Sequence, residues 1–160
     1  MQPSILGSRR EHWADEAACA ASAAALARRP GLAGAFVELH GPLGAGKTTF
    51  VRHLLRALGV QGHVKSPTYA LLEPYAIDTA SGALAVSHFD FYRFDDPQEW
   101  EDAGFRYIFA EPGLKLVEWP EKAAGLLPEP DLSIAIEPQA DDTRAVRLDA
   151  RSAIGRELVQ

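Results

Sequence analysis

The chain has 160 residues, 47% hydrophobic and 24% charged, enough for one domain with a substantial core. Its net charge of −6 disfavours broad nonspecific nucleic-acid binding, and its single cysteine, Cys19, excludes an intramolecular disulfide and a cysteine-built metal site. No apolar run is long enough to span a membrane, and Met1 to Arg10 lacks the apolar centre of a signal peptide, so a cytoplasmic location with no membrane partner is expected.

No repeat or linker divides the chain, so residues 1–160 read as a single domain, with 1–12 a loosely ordered N-terminal segment. Asp15 to Arg29 is Ala-rich and predicts a helix, with Asp15 as N-cap and Pro30-Gly31 as the stop. Ala35 to His40 is a short apolar run that predicts a buried strand. After the glycine-rich stretch 41–48, Phe50, Val51, Leu54, Leu55 and Leu58 recur at helical spacing up to the natural stop Gly59. Residues 62–75 begin as a polar loop and become strand-like, 76–82 read as a turn, and 83–91 as a second strand. Asp96 caps a short helix that starts at Pro97. Leu114 to Glu118 predicts a third strand, Pro120 to Leu127 a short helix, and 133–136 and 145–148 late strands around the acidic turn Asp141-Asp142-Thr143. Alternating strands and helices predict an α/β protein, a three-layer P-loop NTPase-like sandwich with a mainly parallel central sheet. A nucleotide is expected at the carboxyl ends of its strands.

Residues 41–48, Gly-Pro-Leu-Gly-Ala-Gly-Lys-Thr, match the phosphate-binding loop, and they sit between a predicted strand and a predicted helix, as that motif requires. Gly41, Gly44 and Gly46 free the backbone so that N–H groups of the loop, Leu43 and Ala45 included, can converge on phosphate oxygens at a helix N-terminus. Lys47 is placed to reach the β- and γ-phosphates, Thr48 to offer its hydroxyl to Mg²⁺, and Thr49 continues the cradle. Two acids end strands: Asp90 after Phe89, and Glu118 after Val117. Taken singly, either is as readily a carboxylate pointing into solvent; together with the loop they read as Mg²⁺- or water-directing groups. In Lys65-Ser66-Pro67-Thr68, Thr68 reads either as a sensor of the γ-phosphate or Mg²⁺, or as part of a plain turn.

Four stretches occur in order: the loop and the following Thr-Phe; Val64 to Tyr75, Val-Lys-Ser-Pro-Thr-Tyr-Ala-Leu-Leu-Glu-Pro-Tyr; His88 to Arg93, His-Phe-Asp-Phe-Tyr-Arg; and Leu116 to Glu121, Leu-Val-Glu-Trp-Pro-Glu. Together they closely resemble the bacterial TsaE family over residues 13–150. The resemblance implies a Mg²⁺-dependent ATPase of tRNA threonylcarbamoyladenosine biosynthesis. Its partners would be TsaB and TsaD, which modify the tRNA adenosine next to the anticodon, and its ATP cycle would reset or license that complex, with tRNA met only through it. Lys47 and the loop glycines would bind ATP, Thr48, Glu118 and Asp90 would serve the metal and turnover, and Thr68 would belong to a switch loop. Trp119 would report nucleotide binding by its fluorescence. Glu16 keeps the family's acidic pair with Asp15, and Asp142 would approach the base. Cys19 and Ala23 stand where family members often carry Thr and then Gly. The competing readings are a P-loop small-molecule or nucleoside kinase, against which the chain offers no dense Arg cluster after Asp90, and a docking module that binds without hydrolysis. Trp13, Trp100, Phe105 and Tyr107 read as packing aromatics, and His40, His53 and His63 lack metal-ligand spacing. His88 is close enough in sequence to Asp90 to touch the site.

Overall fold

A computed structural model describes residues 5–67 and 70–160. These residues build one seven-stranded sheet, ordered β1-β7-β6-β2-β5-β4-β3. Its middle, β6 (Leu132–Pro138), β2 (Phe36–His40), β5 (Leu114–Glu118) and β4 (Gly82–Asp90), is parallel. β7 (Arg144–Ala150) and β1 (Gly7–Trp13) extend one side antiparallel, and β3 (Leu72–Thr79) closes the other. The α/β sandwich with a mainly parallel centre is therefore as expected.

Period-two alternation sends the strand side chains to two cores. On one face Val37, Leu39, Leu116 and Ile134 meet α2 (Lys47–Leu58) through Phe50, Val51, Leu54 and Leu55, and α1 (Glu16–Ala27) through Cys19, Ala23 and Leu26. On the other face Phe36, Phe89, Phe91 and Val117 meet Trp100 of α3 (Pro97–Ala103) and Phe105 of α4 (Phe105–Ala110). Here rings pack on rings: Phe89 lies 5.2 Å from Phe105, edge-on, and 4.8 Å from Phe109.

Several local signals act as expected. Asp15 caps α1 by accepting from Ala18 N, Gly59 ends α2 in the left-handed conformation, and Asp96 with Glu99 forms a capping box on α3. Others differ. Residues 1–12 are not a loose segment throughout, because Gly7–Trp13 pairs along its length with β7. That strand carries Arg9, Arg10 and Glu11 and buries only Trp13, so backbone pairing, not an apolar face, specifies it. The turn read over 76–82 contracts to Ala80–Ser81, because β3 and β4 form a tight hairpin in which the Thr79 hydroxyl donates to Gly82 O at 2.6 Å. The helix read over 120–127 is a single 3-10 turn, Pro120–Ala123. Two short helices have no counterpart in the sequence reading, α4 and α5 (Ala153–Val159). α5 is capped by Ser152 and held so close to the chain that a side chain at Gly155 would strike Asp131 O.

Candidate nucleotide-binding site

The loop 41–46 leaves the carboxyl end of β2, in the middle of the parallel strands, and delivers the chain into α2. Gly41, at φ +152°, lies so near β6 that a Cβ would meet Ile136 O at 2.6 Å. Gly46 precedes the helix at φ +107°, a left-handed position that glycine takes without strain. The loop is also tied to the β6–β7 hairpin: Arg144 Nε donates to Ala45 O at 2.9 Å, and a terminal nitrogen of the same guanidinium donates to Asp142 O at 2.9 Å.

Lys47, the first residue of α2, is buried, with its ammonium donating to Gly41 O and lying 3.4 Å from the centroid of the Trp119 ring. Burial lowers its proton affinity, while Glu118, Glu121 and Asp90 nearby partly restore it. A desolvated ammonium over an indole face is stabilised by ~2 kcal/mol. The Thr48 hydroxyl donates to Glu118 Oε1 at 2.7 Å, and His88 Nε2 meets Glu118 Oε2 at 2.6 Å. Asp90 and Glu118 are paired neighbours at the ends of β4 and β5. Asp90 is buried, accepts from Tyr92 N at 2.9 Å, and is held above the usual carboxylate range chiefly by that burial, with the Tyr92 N–H opposing. Trp119 sits beside them in the left-handed conformation, φ 56°, with its ring 5.0 Å from that of Tyr92.

Around these groups runs a cleft lined by Leu43, Gly44, Ala45, Gly46, Lys47, Thr48, Thr49, Ser66, Asp90, Tyr92, Arg93, Glu118 and Trp119. A second cleft lies on the other side of the loop, between Trp13, Asp15, Glu16, Cys19, Ala45, Gly46, Thr49, Asp142 and Arg144. The structure thus gathers Leu43, Gly44 to Thr49, Asp90 and Glu118 at one cleft, and Glu16 and Asp142 with the loop at the other, while Gly41 anchors the loop on the β6 side. Thr68 lies outside the described residues. Cys19 in the second cleft has its thiol pushed up to about 11, chiefly by burial and then by Glu16, so it is a neutral wall at pH 7. Trp13, expected as a packing aromatic, stacks on Phe50 at 5.5 Å and also forms part of that wall. Arg144 was not singled out by sequence reasoning: a cation at a strand start carries no motif, and its role follows from where its three backbone acceptors converge.

Among the described residues no three His, Cys, Asp or Glu side chains converge on a metal position. Thr48, Glu118 and Asp90 supply one hydroxyl and two carboxylates, a donor set that fits Mg²⁺ only when phosphate oxygens and water complete the shell. His40 and His53 pair with Glu38 and Glu16 instead.

The family model described as threonylcarbamoyl adenosine biosynthesis protein TsaE matches residues 13–146. The chain belongs to the TsaE family. Members of that family serve tRNA threonylcarbamoyladenosine biosynthesis, and all four sequence stretches lie within the matched span. The Haemophilus influenzae protein named tRNA threonylcarbamoyladenosine biosynthesis protein TsaE is 45% identical over 123 residues, 77% of this chain and 75% of that protein. The Bacillus subtilis TsaE is 38% identical over 117 residues, 73% of this chain and 70% of its own. The crystal structure of Bacillus subtilis YdiB superposes with a TM-score of 0.75 at 26% identity, covering 97% of this chain and 93% of that one. Among the described residues no helix is long and apolar enough to cross a membrane.

Proposed function

We propose that this TsaE protein is a Mg²⁺-dependent ATPase that acts with TsaB and TsaD, resetting the complex that modifies the tRNA adenosine next to the anticodon. The observation that carries this reading is the contact of Thr48 Oγ1 with Glu118 Oε1, which couples the phosphate loop to a strand-end acid beside Lys47. A phosphate cradle alone binds; a cradle joined to buried strand-end carboxylates has the parts for turnover.

The residues divide the work. Loop N–H groups receive the α- and β-phosphate oxygens at the start of α2. Lys47 leaves Gly41 O and the Trp119 ring to meet the β- and γ-phosphates, so the indole loses a cation as nucleotide enters. Thr48 and Glu118 would hold Mg²⁺, which would supply positive charge against the phosphate oxygens. Asp90, a buried carboxylate with raised proton affinity, orients the attacking water and takes up part of its proton as the γ-phosphorus–oxygen bond to ADP breaks. Glu16 and Asp142 line the base side of the loop, and the base would enter between them and Trp13.

Phosphate release from Mg²⁺-ATP tests this, measured on the chain alone and with TsaB and TsaD. Release that rises when the pair is added supports the proposal. Transfer of the γ-phosphate to a small acceptor, with no response to the pair, would favour the kinase reading; nucleotide binding without release would favour the docking module.

A further inference from the structure

His88 and Val86 lie two apart on β4 and both are buried, so this face of the strand accepts apolar side chains. The imidazole at 88 is a costly alternative. Its side chain is 1% exposed, and its Nδ1 is buried with no hydrogen-bond partner among the described residues. An unpaired buried nitrogen detracts from stability, so core packing alone favours an apolar residue there. The other nitrogen, Nε2, meets Glu118 Oε2 at 2.6 Å, the second oxygen of the carboxylate that also receives Thr48.

We propose that His88 is a positioning residue for the metal–nucleotide site. Its Nε2–H holds Glu118 Oε2 on the β4 side, so that Oε1 and Thr48 Oγ1 stay together as the oxygen pair that receives Mg²⁺ with the bound nucleotide. This rests on the Mg²⁺-nucleotide reading above. Without the imidazole donor, Glu118 Oε2 is a buried acceptor in need of a partner, and the Lys47 ammonium, which feels Glu118 first among its charged neighbours, offers it a positive charge. The carboxylate then turns to the ammonium, and Thr48 loses its companion oxygen.

Glutamine keeps an N–H near the Nε2 position, whereas asparagine, one methylene shorter, does not reach Glu118. Full-length wild type, His88→Gln and His88→Asn are titrated by calorimetry with a non-hydrolysable ATP analogue, once with Mg²⁺ and once with EDTA, after thermal melting has established folding. The expected result is that the tightening caused by Mg²⁺ survives in His88→Gln within about threefold and falls ~10–100-fold in His88→Asn, the range for losing a partner that orients a ligand. Metal-free affinity stays as in wild type in both. An undiminished Mg²⁺ effect in His88→Asn overturns the proposal, and so does an equal loss in both variants, which is the pattern of a side chain needed only for packing. Should His88→Asn not fold, ¹⁵N NMR of the wild-type imidazole decides. An Nε2 proton resonance that moves when Mg²⁺ joins the bound analogue supports the proposal, and one that does not move overturns it. No Mg²⁺ effect in wild type itself overturns the metal reading and this proposal with it, a result separable from the others because no variant is involved.

Discussion

At the scale of single residues, the site stands ready but occupied by its own contacts. Lys47 rests on Gly41 O and Trp119, and Thr48 on Glu118. Replacing Lys47 by Ala removes the charge facing the phosphates and is expected to weaken ATP at least ~10-fold, the worth of one charge-assisted hydrogen bond, in a calorimetric titration; unchanged affinity would contradict the assignment. Asp90 carries a different signature. Burial lifts its carboxyl above the ordinary 3.8 in the folded chain, so the folded state holds that proton more tightly than the unfolded one. The charge therefore opposes folding increasingly as pH rises from 3.8 through the folded value, and the full penalty stands at neutral pH. Asp90→Asn is expected to raise Tm at pH 7, with a gain that shrinks as pH falls through the folded value and is gone below 3.8, while its turnover drops ~100-fold or more. A lower Tm at pH 7 would show that Asp90 is a structural carboxylate. Lys47, Thr48, Asp90 and Glu118 were legible because a loop motif and two strand ends name them. Arg144 and the Glu118 contact of His88 were not, since both depend on which strands lie side by side.

At the scale of elements, the loop 41–46 is shaped by what surrounds it. Gly41 is fixed less by its own conformation than by β6: a Cβ there would press on Ile136 O at 2.6 Å. Gly41→Ala is expected to abolish detectable nucleotide binding and lower Tm, and a variant that binds ATP normally would mean that β6 yields. The edge strand β1 makes the complementary point. Its charged sequence hides it from any reading by apolar alternation, yet it forms a full ladder with β7 and places Trp13 against Phe50 and the second cleft. Amides of β1 that face β7 are accordingly expected to exchange slowly with solvent deuterium; exchange at the rate of an unstructured chain would restore the loose N-terminal segment. Trp13→Ala is expected to cost ~3–5 kcal/mol by removing a nearly fully buried indole, measured by denaturant unfolding. The short helices α4 and α5 escaped the sequence for a related reason: each has few turns, and tertiary contacts at Phe105 and Gly155 hold them rather than periodicity.

At the scale of the whole molecule, the parallel middle of the sheet was legible from alternating strands and helices, because crossover connections leave few other choices. The order of the strands was not, and it is this order that sets β2 between β5 and β6 and brings the loop, Glu118 and the β6–β7 hairpin together. Family membership supplies tRNA threonylcarbamoyladenosine biosynthesis as the process; the part proposed for this chain in it is a nucleotide switch. The most direct measurement of that part counts modified adenosines per complex, using tRNA, threonylcarbamoyl adenylate, TsaB, TsaD and Mg²⁺-ATP. With the wild-type chain, many modified adenosines per complex are expected; with Asp90→Asn or Glu118→Ala, no more than the first cycle delivers. Equal repeated turnover with wild-type and variant chains would contradict the account.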